Sequence, residues 1–544
     1  MKRFLKLKIF LPLMTVVLLV LGSRTRQRRW IVIVSTCGVI LASVMGSLIA
    51  AAGTAAPNAA KQPPSAATQE AGMIAGLPFV DPPNADTAGG ARLTIRLDAH
   101  ATRFDLSGRR VWGQSYNGTF VAPTIHLMPG EDASITLVNH LSVATNLHFH
   151  GLHVSPSQDS DNSFLCVAPG QTFTYHLSLP RDHPVGTFWY HGHPMGTTCS
   201  AASMASQSFM PGDVENQIFA GLSGALVVGD DRSLLPPALA HITAHTVVLK
   251  DVQIDPTGHI VQNSASTSIN SNNPTVRLVN GLLRPMMTIR PGETQLWRLV
   301  NAGADIFYQL QLDGYSFTVI GEDGRPVAQV RTAGTLLLPP GKRYDVLVTA
   351  AIHPGVTWLR TTAYSNGPQG DSYPNVPLAA LHITGTPETP VPAVTGAIPS
   401  APADLADAHI AQHRTVVLSE DSTGTIFYIN GKQFSMDGSV FDTPAVVNTV
   451  EEWTVVNQSG EDHPFHLHTT AFQVMSVNGV AQPYTHVQDI VPVPHAVNGV
   501  PGKVVLRIAF TDYVGRWMFH CHIAAHEDNG MMSFINVVPP SRTP

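Results

Sequence analysis

Histidines are the residues of this 544-residue chain whose spacing most directly implies chemistry. They gather in four clusters: His148, His150 and His153 in HFHGLH, His191 and His193 in WYHGH, His463, His466 and His468 in HPFHLH, and His520, His522 and His526 in HCHIAAHEDNGMM. Side chains on a strand alternate in direction, so a His-x-His pair projects both imidazoles to one side and can share metal ions. Four such pairs occur, His148/His150, His191/His193, His466/His468 and His520/His522, and eight imidazoles are expected to converge on one cavity. Cys521 lies between two of these histidines and must point to the opposite face, where it can meet His463 and His526. A Cys thiolate with two His and a weakly bound Met is the ligand set of a blue electron-transfer copper, and Met531 is placed to be the axial ligand. The peptide His520-Cys521-His522 then offers an electron a covalent path from one copper centre to the next. Zinc is the alternative, but a structural zinc site wants about four ligands and more cysteines, and a lone catalytic zinc would leave most of these histidines unused. Copper fits the count.

The elements that must position these residues read as strands. Three phrases recur, YNGTFVAPTIHLMPGEDASITLVNHL from Tyr116, VNGLLRPMMTIRPGETQLWRLVNAG from Val279, and YINGKQF with NTVEEWTVVNQSG from Tyr428. Each is an Asn-Gly turn, an apolar strand, an acidic turn and an alternating strand, which predicts three related β-sandwich domains. We place a spacer at 57–90, the domains at 91–235, 236–390 and 410–544, and a linker at 391–409, where TPETPVPAVTGAIPSAPADLADA is rich in breakers. The middle repeat has FYQLQLDG where the first has LHFHG, so no copper ligand is expected from it and it reads as a spacer domain.

Composition agrees with an all-β fold: 13% charged residues, 44 Gly and 42 Pro suit sandwich strands and turns better than charged helices. The formal charge is −6, but residues 1–56 hold eight Lys/Arg and no acid, so the remainder carries −14. An acidic body without a basic stripe argues against nucleic acid as a partner, and no glycine-rich phosphate loop is present. Residues 9–22 are too short to cross a bilayer, whereas 31–52 are long enough and follow Arg24, Arg26, Arg28 and Arg29. Segment 1–56 is read as a twin-arginine-like export signal cleaved near Ala50–Ala56, with an uncleaved membrane anchor as the alternative. The body is then periplasmic or otherwise extracytoplasmic.

These motifs, in this order and at these spacings, resemble the three-domain multicopper oxidases, the laccase family, over about residues 90–540. The resemblance implies three cupredoxin-like Greek-key domains and four copper ions, one of type 1, one of type 2 and two of type 3. By position it makes His463, Cys521, His526 and Met531 type 1 ligands, His148 and His466 type 2 ligands, and His150, His191, His193, His468, His520 and His522 type 3 ligands. It implies that a small reducing substrate gives single electrons to the type 1 copper and that dioxygen is reduced to water at the trinuclear cluster, with no organic cofactor. Glu527 and Asp159 match acids that deliver protons in bacterial relatives, and Asp161 competes with Asp159 for that role.

The chain departs from the family pattern at Thr469-Thr470-Ala471-Phe472, where many relatives have a glycine and a histidine, and at Phe149, where many have tryptophan. A loop after His193 contains Met195, Met204 and Met210, residues that pack cores or bind Cu(I). Cys37 lies in the leader and Cys521 belongs to copper, which leaves Cys166 and Cys199 as a candidate disulfide in an oxidising compartment. Three classes of function remain: oxidation of phenols and aromatic amines, oxidation of Cu(I), Mn(II) or Fe(II), and a copper-free envelope scaffold, which a complete ligand set disfavours. Axial Met531 suggests a modest type 1 potential and easily oxidised donors.

Overall fold

The structure, a computed structural model, describes residues 69–85, 87–88, 93–195, 199, 213–264, 267–270 and 272–541. The leader, Cys37, Met204 and Met210 lie outside the described residues. No helix among the described residues is long and apolar enough to cross a membrane.

Three pairs of sheets follow one another along the chain. The first pair has strands Leu93–Leu106, Arg109–Tyr116, Asp132–Asn139 and Thr172–Ser178 in one layer. Its second layer is ordered Ala122–Leu127, β3 (Ser223–Val228), β2 (Gly186–His191) and β1 (His148–His150). The middle pair joins a six-stranded sheet, which includes β4 (Arg343–Thr349), to a five-stranded one. The third pair does the same, its five-stranded layer running Ala445–Val446, β8 (Met532–Val538), β7 (Gly515–Cys521), β5 (His463–Leu467) and β6 (Ile490–Val493). These are cupredoxin-type sandwiches, nearly all β as expected.

The repeat seen in sequence has a repeated physical cause. Asn117, Asn280 and Asn430 adopt φ of 58°, 52° and 51°, and the glycine after each is also left-handed, as a tight hairpin turn of this class demands. Each Asn Oδ1 accepts from the strand at Asp98, Val248 or Val417. In every repeat the first long strand then pairs in parallel with the alternating strand, 93–99 with 133–139, 244–249 with 296–301 and 410–418 with 450–457. On the alternating strands Ile135, Trp297 and Trp453 occupy the same repeat position and are fully buried.

A second asparagine closes each alternating strand: Asn139, Asn301 and Asn457 are fully buried, and each donates from its amide nitrogen to two backbone carbonyls, Val143 and Val167, Ile306 and Leu338, and Glu461 and Val493 respectively. Asn301 donates to Ile306 O and Leu338 O and accepts from Gly303 N. An Asn301→Ala variant leaves those groups buried without partners and is expected to lose roughly 2–4 kcal/mol of middle-domain stability. Calorimetric unfolding of the metal-free protein measures it.

Candidate metal centre

Register delivers the histidines. His148 stands opposite His191 across β1 and β2, and His466 opposite His520 across β5 and β7, so each outer domain presents two His-x-His pairs side by side. The two faces meet. His522 Nε2 lies 3.2 Å from His150 Nδ1, and the His148 and His468 rings stack at 3.8 Å, as do those of His150 and His466.

Three triads of donor atoms emerge, each with all atoms within 4.8 Å of one another: His148, His150 and His466; His150, His191 and His522; His193, His468 and His520. All eight histidines are buried. Among the described residues, His148 Nε2, His191 Nε2, His466 Nε2 and His522 Nδ1 find no hydrogen-bond partner. Buried polar atoms are ordinarily satisfied, so a cluster of orphaned imidazole nitrogens fits metal ions that complete it. Burial, reinforced by neighbouring imidazoles, holds His148, His150, His191, His466, His468 and His522 well below the ordinary imidazole range, and neutral imidazole is the metal-binding form.

Cys521 turns to the other face, as its place between two outward histidines requires. Its Sγ lies 3.5 Å from His463 Nδ1 and 3.6 Å from His526 Nδ1, and the two Nδ1 atoms are 3.2 Å apart. His526 comes from α1 (Ala524–Asp528), the single helical turn after β7. Met531 is fully buried, accepts from Cys521 N through its carbonyl and donates its own N–H to His526 O. Burial takes His463 down to about 3 and pushes the Cys521 thiol well above its usual value, so metal binding here is coupled to release of the thiol proton. Ser459 Oγ lies 2.7 Å from His463 Nε2 and fixes that ring from behind. His153 joins neither site: its Nδ1 donates to Thr469 O and its Nε2 faces Asp512 at 3.0 Å.

Of the two acids singled out in sequence, Glu527 is in the site. It is buried, with Oε1 2.9 Å from His193 Nε2 and Oε2 3.0 Å from His520 Nδ1. Burial raises its pKa, but His193 and His520 outweigh that and hold the carboxyl well below the usual range. Asp159 is elsewhere. Half exposed, it pairs with His176 at 2.7 Å on the outer face of the first domain, because the loop after β1 turns inward only two residues later. Asp161 is the acid at the cluster, its Oδ1 3.0 Å from His148 Nδ1 and accepting from Phe149 N, and burial pushes it up to about 7. An Asp161→Asn variant is therefore expected to weaken copper retention at His148 by about 10–100-fold, whereas Asp159→Asn leaves it unchanged. Copper titration of the two variants makes the comparison.

Spacing did not disclose Asp489, Ser163, Ser459 or Glu461. Asp489 Oδ1 stands 3.1 Å from His150 Nε2, Ser163 Oγ 3.3 Å from His468 Nδ1, and Glu461 Oε1 3.3 Å from His526 Nε2. No motif flags them: Asp489 and Ser163 reach their histidines only through tertiary folding, Glu461 reaches His526 across the third domain, and Ser459 meets His463 within a turn of four residues that has no distinctive spacing. Cys166 and Cys199 do pair, in a disulfide on the first domain. Met195 packs against Met518, Met532, Phe434 and Phe534 in a small apolar cluster.

Comparison with known proteins agrees with this geometry. Family models described as multicopper oxidase match residues 99–233, 242–386 and 404–541. The chain is 26% identical over 467 residues to the multicopper oxidase mco of Staphylococcus aureus, covering 85% of this chain and 92% of that one. It is likewise 26% identical over 518 residues to a laccase of Bacillus subtilis (strain 168), covering 83% and 94%. Among solved structures, a multicopper oxidase from Campylobacter jejuni described as a metallo-oxidase superposes with a TM-score of 0.72 at 25% identity, over 89% of this chain and 98% of that one. Three matched domains in sequence, and the histidine triads and Cys521 site that they enclose, place this chain in the multicopper oxidase family, the oxidoreductases that use copper ions of types 1, 2 and 3 with dioxygen.

Proposed function

We propose that the chain couples one-electron oxidation of small phenolic or aromatic-amine donors at the Cys521 site to four-electron reduction of dioxygen to water at the histidine cluster. One observation carries the reading: the strand end His520-Cys521-His522 faces both sites at once, its thiol toward His463 and His526 and its imidazoles toward the cluster. Copper, when bound, supplies the electron transfer at the thiolate and the dioxygen chemistry at the cluster. His463, Cys521, His526 and Met531 would hold the type 1 ion, His148 and His466 the type 2 ion, and His150, His191, His193, His468, His520 and His522 the type 3 pair. Glu527 is the group placed to move protons to the cluster.

A donor meets the type 1 site at His526. Phe427 stacks on that ring at 4.1 Å, and Glu461 faces its Nε2. Burial, then Glu420 and Asp371, push the Glu461 carboxyl up to about 9, so near neutrality it offers an uncharged acid group that suits a neutral phenol. The same acids support a second reading, a metal-ion oxidase, because Glu461, Glu420 and Asp462 lie together where a Cu(I), Fe(II) or Mn(II) donor would arrive, and the Campylobacter jejuni relative is described as a metallo-oxidase. Oxygen uptake with a phenol panel and with each metal ion, for wild type and Glu461→Gln, separates the two. Under the phenol reading the variant retains phenol turnover, and saturable metal-ion turnover lost in Glu461→Gln would replace it by the second reading. Absence of uptake with every donor by copper-loaded protein would leave neither.

Export belongs to the same proposal. The basic and then apolar leader and the Cys166–Cys199 disulfide both suit a periplasmic or other extracytoplasmic protein, cleaved or anchored at its N-terminus. N-terminal sequencing of the exported protein distinguishes cleavage from anchoring.

A further inference from the structure

The middle domain supplies no histidine to either site, yet its side chains hold Asp489 beneath the cluster, with Arg343 and Asp323 in hydrogen-bond contact and Arg325 3.7 Å from the carboxylate. Arg343, at the start of β4, is fully buried and grips Asp489 with both ends of its fork, Nη1 to Oδ1 and Nη2 to Oδ2, each at 2.7 Å. Asp323, from the neighbouring hairpin, accepts from Asp489 N at 3.1 Å and Ile490 N at 3.3 Å and is itself held by Lys342 at 2.9 Å. The side chain and the backbone of Asp489 are thus both fixed from the domain without ligands. The approach is close enough that Gly151, which follows His150, has no room for a side chain: a Cβ there would meet Arg343 Nη2 and Asp489 Oδ2 at 2.5 Å.

Asp489 in turn addresses two histidines through two different oxygens. Its carboxylate Oδ1 lies 3.1 Å from His150 Nε2, and its backbone carbonyl lies 2.8 Å from His466 Nδ1. A neutral imidazole has one N–H and one lone pair, and an acceptor against one nitrogen places the hydrogen there and the lone pair on the other. The two rings, stacked at 3.8 Å, are therefore set in opposite forms. His150 is left with its lone pair on Nδ1, which faces His522 Nε2 at 3.2 Å, and His466 with its lone pair on Nε2, which has no hydrogen-bond partner among the described residues.

We propose that the middle domain selects the tautomers of His150 and His466 through Asp489, with Arg343 and Asp323 as positioning residues, so that assembly of the cluster depends on a domain that binds no copper. The inference builds on the copper sites proposed above, but its first consequence is visible without metal.

In copper-free wild type, long-range proton–nitrogen correlation spectra of ¹⁵N-histidine protein are expected to show His150 protonated on Nε2 and His466 on Nδ1. Asp489→Ala removes the carboxylate and keeps the carbonyl, so His150 should lose its preference while His466 retains its own. Arg343→Met, which frees the carboxylate to rotate, should act in the same direction. After reconstitution both variants are expected to bind the cluster coppers about 10–100-fold more weakly, with the blue thiolate absorption intact. A purely structural role would instead move both histidines together and weaken the type 1 site as well. That result, a His150 protonated on Nδ1 in wild type, or variants indistinguishable from wild type in tautomer and copper affinity, would overturn the proposal. Arg343→Lys retains the charge without the fork and serves if Arg343→Met fails to fold, and the wild-type tautomers decide the matter if every variant does. Wild-type protein with the expected tautomers but no bound copper would instead overturn the copper sites and leave the tautomer assignment standing.

Discussion

Cys521→Ser abolishes the blue thiolate absorption and reduces donor-dependent oxygen uptake to background, the largest single effect expected of any substitution in this chain. Sulfur is the only soft anionic donor among the described groups facing His463 and His526, and a hydroxyl is both shorter and harder than the thiolate that copper requires there. The cluster should survive. His520 and His522 project from the opposite face of the same strand, so about three of the four coppers should still bind after reconstitution. Burying a hydroxyl in the thiol's place costs roughly 1–3 kcal/mol, too little to unfold the domain. Metal analysis and absorption spectra of the purified variant test this. A variant that retained turnover would show that electrons do not pass through residue 521.

Glu527→Gln is expected to lower turnover by about 10²–10³-fold with copper content and blue absorption unchanged. The amide preserves the size of the side chain and its reach to His193 and His520, but it replaces one accepting oxygen by a donating NH2 and removes the charge together with the ability to carry a proton. Glu527 and His526 are consecutive on α1, one turned to the cluster and the other to Cys521, so a change of backbone would disturb both sites. Intact type 1 spectra would show that the helix has not moved. The contrast with Asp161→Asn is informative, since that change acts through the orientation of His148 and should appear as weaker copper binding. Turnover equal to wild type across the working pH range would remove Glu527 from the proton path.

The metal-site residues were legible because two short-range rules suffice to read them. Alternation on a strand fixes which side each histidine of a pair faces, and a cysteine flanked by two such histidines has only the other side left. The Asn-Gly turns were legible for the same reason, since two successive left-handed residues strongly favour Asn, Asp or Gly followed by Gly. The acids were not. Asp159 and Asp161 differ by two positions in a loop without periodicity, so spacing could not tell the residue facing His176 on the surface from the one facing His148 in the interior.

Sequence by itself determined the strand repeat, the four histidine pairs and the inward thiol, because each is set by alternation along a strand or by a turn of a few residues; it offered Cys166 and Cys199 only as a candidate disulfide, which the fold brings together. Only the tertiary structure decided that Asp161 replaces Asp159 beside His148, that Glu461 faces His526, and that the apparent spacer domain reaches the cluster through Arg343 and Asp489. Asp161 and His148 share a domain, as do Glu461 and His526, whereas Arg343 and Asp489, 146 positions apart, and Asp489 and His150, 339 apart, join separate domains. Such partners are chosen by the path of an aperiodic loop or by the packing of one sandwich on another, and neither leaves a periodic trace in the chain.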